Sequence, residues 1–283
     1  MVRIIGVTGG KGGTGKSTVA TALAIELGKR SKVMLVDMDV DCPNDHLILN
    51  IKRKELHKVY QRIPVINANK CIKCGACAKA CNYNAIVAIS DKIPFFMPQQ
   101  CNGCGACKIV CKEEAIFWNK KEIGVIYSGK AYGIDFYSGE LKINEPIAEF
   151  VVNELKRIVE SKKEKYDYII ADTAAGSKCD VISALGFCYF VFGITEPTPL
   201  GEHDVEVIIK LLLRMNKPFE IILNRYEKEN EQIISDMLKR YNKSIFAKIP
   251  YSKAIMEQYS KGIPVEDESI KKIAEGILND RFK

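Results

Sequence analysis

The sequence predicts an α/β fold: a mostly parallel sheet flanked by helices, interrupted by a smaller inserted α+β domain. Three observations predict it. Short apolar runs alternate with helical stretches, opening in β-loop-α-β order. A glycine-rich loop joins the first strand to the first helix. A block of evenly spaced cysteines then separates that opening unit from later strands and helices. Residues 3–8 (RIIGVT) and 32–37 (KVMLVD) read as buried parallel strands, with a helix over 17–29 between them. Beyond the cysteine block, 124–139 is glycine-spaced and strand-like, and 145–161 reads as a helix. Strands are expected over 168–172 (YIIAD), 187–195, 219–224 (FEIILN) and 244–249. Helices are expected over 202–215 and 228–241 and near the C-terminus, where Ile270, Ile273, Ile277 and Leu278 share a helical face.

Composition bounds the function. The chain has 283 residues, enough for one large domain plus a small one, and 47% of them are hydrophobic. The expected parts are 1–57 and 121–283, forming the main domain, and an insert over 58–120. The formal charge of +7 could suit nucleic acid, but no aromatic-plus-basic stripe supports that partner. No apolar run reaches the length of a membrane span, and the C-terminal helix lacks a strong basic face, which argues against a membrane. The chain enters an apolar strand at Ile4 without a secretory pattern, and eight of its eleven cysteines fall in a strict repeat. A reducing, cytoplasmic setting is expected, where thiols stay available for metal.

Gly10-Lys11-Gly12-Gly13-Thr14-Gly15-Lys16-Ser17 fits the phosphate-loop pattern G-x-x-x-x-G-K-[ST], with Thr18 following. Such a loop turns backbone N–H groups inward, and glycines supply the required angles. The next helix offers its positive N-terminal end to the anion. Lys16 would lie against the outer phosphates and Ser17 would hold Mg²⁺.

The early lysine, Lys11, makes KGGTGKS resemble the deviant Walker A motif of the MinD/ParA branch of P-loop ATPases. That resemblance implies ATP or ADP with Mg²⁺, slow hydrolysis, and an ATP-dependent homodimer in which Lys11 reaches the partner's nucleotide. It gives Lys11, Lys16 and Asp39 catalytic roles, Asp39 polarising the attacking water. Asp37 would lie near the metal, and Asn44 also matches the family. Asp172 would bind Mg²⁺ through water and Gly176 would sense the terminal phosphate. Asn224 would read adenine beside Arg225, and Pro250 would sit in a second base-contacting loop.

Cys71, Cys74, Cys77 and Cys81 read C-x2-C-x2-C-x3-C, and Cys101, Cys104, Cys107 and Cys111 repeat it at an offset of 30 residues. This is the bacterial-ferredoxin spacing for [4Fe–4S] clusters, so the insert resembles a two-cluster ferredoxin. In that family the fourth ligand crosses over. The resemblance therefore implies one cluster on Cys71, Cys74, Cys77 and Cys111, and a second on Cys101, Cys104, Cys107 and Cys81. The proline that usually follows the fourth cysteine is replaced by Asn82 and Lys112, which puts the local turn in question. Zinc is the competing metal, though tight C-x2-C-x2-C triplets suit it poorly. Lys70, Lys73, Lys79, Lys108 and Lys112 either offset cluster charge or form a docking face for an acidic partner. Cys42, Cys179 and Cys188 are expected to be structural thiols.

Taken together, the chain resembles MinD-superfamily ATPases with an inserted ferredoxin domain. The expected function is a nucleotide switch that couples dimer closure to electron transfer to a redox or metalloprotein partner. The alternatives are an ATPase that assembles or delivers metal–sulfur units, an electron carrier with regulatory ATP binding, and a positioning ATPase.

Overall fold

The computed structural model describes residues 2–227 and 230–279. The chain opens with β1 (Arg3–Thr8), the glycine loop, α1 (Lys16–Gly28), β2 (Val33–Asp37) and a single turn, α2 (Asp45–Ile48). The long strand β3 (Lys54–Ile66) leads out to the cysteine module. There α3 (Ala76–Lys79), β4 (Ile86–Val87), β5 (Phe95–Phe96) and α4 (Ala106–Ile109) follow, and β6 (Ile116–Ala131) leads back. The chain continues with β7 (Ile134–Leu141), α5 (Glu149–Lys162), β8 (Tyr168–Asp172), α6 (Cys179–Phe187), β9 (Phe190–Thr195) and α7 (Pro199–Arg214). It ends with β10 (Phe219–Tyr226), α8 (Gln232–Lys239), β11 (Ile245–Pro250), α9 (Lys253–Ser260) and α10 (Glu268–Leu278).

Nine strands form one sheet in the order β11-β10-β9-β1-β8-β2-β7-β6-β3. It is parallel from β11 to β7, and β6 and β3 add antiparallel at one edge. Both faces of the parallel part are covered, which is why its central strands β1, β8, β2 and β9 read as near-continuous apolar runs. Ile4, Ile169 and Ala171 point into a core built with α5, α6, α7 and α8. Ile5, Val7 and Ile170 point to the opposite face, packed by α1 and α10.

The expected insert boundaries, 57/58 and 120/121, fall inside β3 and β6. The two strands pair continuously from Lys54↔Ser128 to Ile66↔Ile116. Val59 and Ile126 belong to the main core, whereas Ile66 and Ile116 belong to the module, so one ribbon serves both. The two halves of the module repeat their packing. Gly75 and Gly105 precede the short helices in left-handed conformation, and Ala85 and Ala115 both donate their N–H to a cysteine sulfur. The missing proline does not prevent the turn. Asn84 and Glu114 donate N–H to the Cys81 and Cys111 carbonyls, each at positive φ.

Two helices depart from the sequence expectation. The strand expected from residue 187 begins at Phe190, because 179–187 forms α6. Helix α9 is absent from the sequence expectation; none of its residues is fully buried, and Ile255 alone packs partly against the core. Of the helix expected over 228–241, residues 228 and 229 lie outside the described residues, and α8 covers Gln232–Lys239.

Candidate functional site

A cleft of about 950 Å³ opens where β1, β2 and β8 end. That is the edge at which open α/β sheets bind ligands. Its lining includes Gly12, Gly13, Gly15, Lys16, Ser17 and Thr18 from the loop, Asp39 and Asn44 from the segment after β2, and Asn224, Arg225 and Pro250 from the far wall. These predicted residues, scattered in sequence, therefore share one cavity. Lys16 is buried, and its Nζ donates to the Lys11 carbonyl at 3.0 Å, while the Lys11 side chain is exposed. Gly15 meets two demands at once: φ is +89°, and a Cβ there would collide with Asn224 Nδ2. Asn224 comes this close because its Nδ2 donates to the Thr14 carbonyl at 2.8 Å, tying the far wall to the loop. Arg225 is turned by a φ of +52° and held by Glu196 at 3.0 Å. Gly10 lies against the backbone of Asp204 in α7, where a Cβ would approach the carbonyl oxygen to 2.3 Å. Gly176 donates its N–H to the Gly9 carbonyl, which docks the segment after β8 against the phosphate loop.

Beneath the cleft floor the carboxylates converge. Asp37 and Asp172 end neighbouring strands in direct register, and both are fully buried. Burial pushes Asp37 well above the usual carboxylate range, reinforced by the Asp172 charge. Burial likewise pushes Asp172 up to about 7, although Ser17 and Lys16 pull it back. Asp39 is half-buried and raised by desolvation, opposed by the Cys42 N–H and Lys16. Mg²⁺ is a hard ion that takes oxygen ligands, and the Ser17 hydroxyl with Asp37 and Asp172 is a donor set that suits it.

The eight repeat cysteines divide between two cavities. Cys71, Cys74, Cys77 and Cys111 line one of about 370 Å³, and Cys81, Cys101, Cys104 and Cys107 line a narrower one of about 20 Å³. None of the eight is paired in a disulfide. Burial raises Cys77 and Cys101 and pushes Cys107 up to about 11. N–H groups of Ala85, Gly103 and Ala115 each stand 3.3 Å from sulfur, at Cys81, Cys101 and Cys111. Four soft ligands around each cavity, with N–H donors at sulfur, is a donor set that suits an iron–sulfur cube. The three remaining cysteines differ from one another. Cys188 packs in the core as expected, whereas Cys42 is exposed along the nucleotide cleft and Cys179 is exposed in a separate groove.

The profile of the CobQ/CobB/MinD/ParA nucleotide binding domain matches residues 5–265. The chain belongs to this family. Two uncharacterised proteins of Methanocaldococcus jannaschii are each 36% identical to it. One match spans 260 residues (92% of this chain, 90% of that protein), the other 222 residues (78% and 77%). The septum site-determining protein MinD of Thermotoga maritima is 25% identical over 288 residues, 99% of this chain and 86% of that protein. Among solved structures, MinD of Pyrococcus horikoshii complexed with Mg-ADP aligns with a TM-score of 0.62 and 21% identity, covering 100% of this chain and 99% of that one. At that identity the likeness establishes the fold.

Within this MinD/ParA-type domain, sequence reasoning missed three features of the site. Asp45 is fully buried beside Asp37 and Asp172. The Lys178 ammonium meets Asp41 at 3.7 Å, linking the segments after β2 and β8. Tyr251, Ile255, Met256 and Tyr259 extend the cleft beyond Pro250 along α9. The local sequence shows Asp45 only as a carboxylate shortly before the apolar run Leu47-Ile48-Leu49, which does not by itself mark a site.

Proposed function

We propose that the protein is an ATP-binding, slowly hydrolysing switch that carries two [4Fe–4S] clusters and couples dimer closure to electron transfer to a protein partner. One observation carries the coupling. A groove of about 480 Å³ is lined on one side by Asp41, Lys178, Cys179 and Asp180, and on the other by Tyr83 and Asn102 of the cysteine module. Asp41 and Lys178 also line the nucleotide cleft. A change in the segments after β2 and β8 would therefore meet the module next to Asn102, which adjoins Cys101.

The residues divide the work. The loop over 10–18 wraps the phosphates, and Lys16 exchanges its bond to the Lys11 carbonyl for phosphate oxygens. Ser17, Asp37 and Asp172 hold Mg²⁺, which supplies charge neutralisation at the phosphates. Asp39 orients a water towards the terminal phosphoryl group, giving ADP and phosphate. The exposed Lys11 side chain would engage a second protomer, so hydrolysis is slow in the monomer. Asn224 keeps its Oδ1 and one amide hydrogen for the base, and Arg225 and Pro250 flank it. Cys71, Cys74, Cys77 and Cys111 hold one cluster, and Cys101, Cys104, Cys107 and Cys81 the other; when bound, the clusters supply one-electron redox chemistry. No described helix is long and apolar enough to cross a membrane, and the proposed setting is the cytoplasm.

The test is an anaerobic reductive titration followed by visible and EPR signals, with and without Mg-ATP. A shifted midpoint potential supports the coupled switch. An unshifted potential, with iron and sulfide passing to an apo-protein, transfers the reading to cluster delivery.

A further inference from the structure

We propose that Asp45 joins Asp37 and Asp172 in a divalent-cation site that takes Mg²⁺ before any nucleotide arrives. The position follows from the fold. Asp37 and Asp172 end adjacent parallel strands, and Asp45 opens the single turn α2 directly above them. The backbone N–H of Asp45 donates to Asp37 Oδ2 at 3.2 Å, which fixes the turn over the strand end. One carboxylate oxygen from each of the three residues lies within 4.8 Å of the other two.

Asp37 is served by two backbone donors, from Asp39 and Asp45. The other two carboxylates are not served. Both oxygens of Asp45 and both of Asp172 are buried without a hydrogen-bond partner, and so is the hydroxyl of Thr8. Thr8 lies one residue beyond Val7, the register partner of Asp172 on β1. Buried polar atoms in folded proteins have partners, so four orphaned carboxylate oxygens in one spot point to a ligand. The chemistry of that ligand is restricted. When ionised, these groups present only acceptor oxygens of one charge sign, shut away from water, and in that state they call for a small hard cation. The Lys16 ammonium draws on the Asp172 charge from nearby, but its hydrogen bond goes to the Lys11 carbonyl and none reaches these oxygens.

A site made by phosphate oxygens, Ser17 and one strand-end aspartate depends on the nucleotide for much of its charge. Three protein carboxylates remove that dependence. The cation then arrives first and neutralises the floor, and the nucleotide phosphates enter a site already carrying positive charge. This order of binding does not require that ATP be hydrolysed or that clusters be present.

Mn²⁺ is the probe, because its aqueous EPR signal is lost on binding and counts the free ion. Full-length protein stripped with chelator and freed of nucleotide should bind one Mn²⁺ per chain, in competition with Mg²⁺, and should melt at a higher temperature with either ion. Asp45→Asn, checked for native circular dichroism, should weaken Mn²⁺ at least tenfold without nucleotide and less when ADP is present. Absence of Mn²⁺ binding by the nucleotide-free wild type overturns the proposal, since the three carboxylates would then share protons instead. A folded Asp45→Asn protein that binds Mn²⁺ as the wild type does also overturns it. An inactive ATPase would leave these outcomes unchanged, so failure of the proposed function and failure of this site are separable.

Discussion

Lys11 and Lys16 stand in one loop yet face different tasks. Lys16 is buried and bonded to the loop's own backbone, so its loss removes the buried cation of the phosphate loop. Lys11 is exposed and offers only its carbonyl to the fold. Lys16→Ala should therefore weaken ATP binding about a hundredfold or more, as two charge-assisted contacts at roughly 1.5–3 kcal/mol each would imply. Lys11→Ala should bind ATP within a few-fold of wild type but fail to dimerise on ATP, read by fluorescent-nucleotide titration and light scattering. A Lys11→Ala protein that still dimerises would remove the cross-protomer role. The cysteines permit a second check. Burial pushes the Cys188 thiol up to about 12, and its Sγ points to the Ala184 carbonyl. A thiol raised this far stays protonated at pH 8, so iodoacetamide should leave Cys188 unmodified in the folded protein while labelling Cys42 and Cys179. The sign for stability follows. The folded thiol holds its proton more tightly than the unfolded one, so its contribution is full below about 9 and is lost as pH climbs towards about 12. These residues were legible because their signals are local: a contiguous loop, a thiol inside an apolar run. Asp45 was not, because its meaning depends on Asp172, which only the sheet brings alongside.

At the scale of elements, the ribbon of β3 and β6 is the feature that composition concealed. The cysteine repeat stands out, and the change of character at 58 and 120 reads as the edge of a domain. Yet β3 alternates buried Val59 and Gln61 with exposed Lys58 and Tyr60 across that edge, a half-buried strand whose lysines resemble module surface. Helix α6 was hidden for the opposite reason, since its apolar residues run into those of β9. The ribbon makes a direct prediction. Ile66 and Ile116 are opposed in register, so residues 67–115 can be replaced by Asn-Gly to close a two-residue hairpin. The resulting protein should fold, bind ATP within a few-fold of the full chain and hold no iron. Nucleotide titration and iron analysis check it. Loss of folding would mean that the module supports the body rather than standing on it.

At the scale of the whole molecule, nucleotide and clusters can influence each other only through a shared structural change, and the groove holding Asp41, Lys178, Tyr83 and Asn102 is where that change would pass. The Lys178–Asp41 pair is exposed and adds little to stability, so its value lies in which segments it joins. Coupling of this kind is reciprocal: if ATP shifts the reduction potential, reduction must shift ATP affinity by the same free energy. For a one-electron couple, a tenfold change in affinity corresponds to about 59 mV. We expect ATP to bind oxidised and reduced protein with affinities differing about tenfold, and the potential measured with saturating Mg-ATP to move by the matching amount. Lys178→Met should shrink both differences together while leaving ATP binding to oxidised protein near the wild-type value. The four quantities are measured independently, by nucleotide titration at two poised potentials and redox titration at two nucleotide levels, and the cycle must close. Equal affinities beside an unmoved potential would end the coupled reading. A potential that moves while the affinities stay equal would violate the cycle and would point to a second species, such as the dimer, in only one of the titrations.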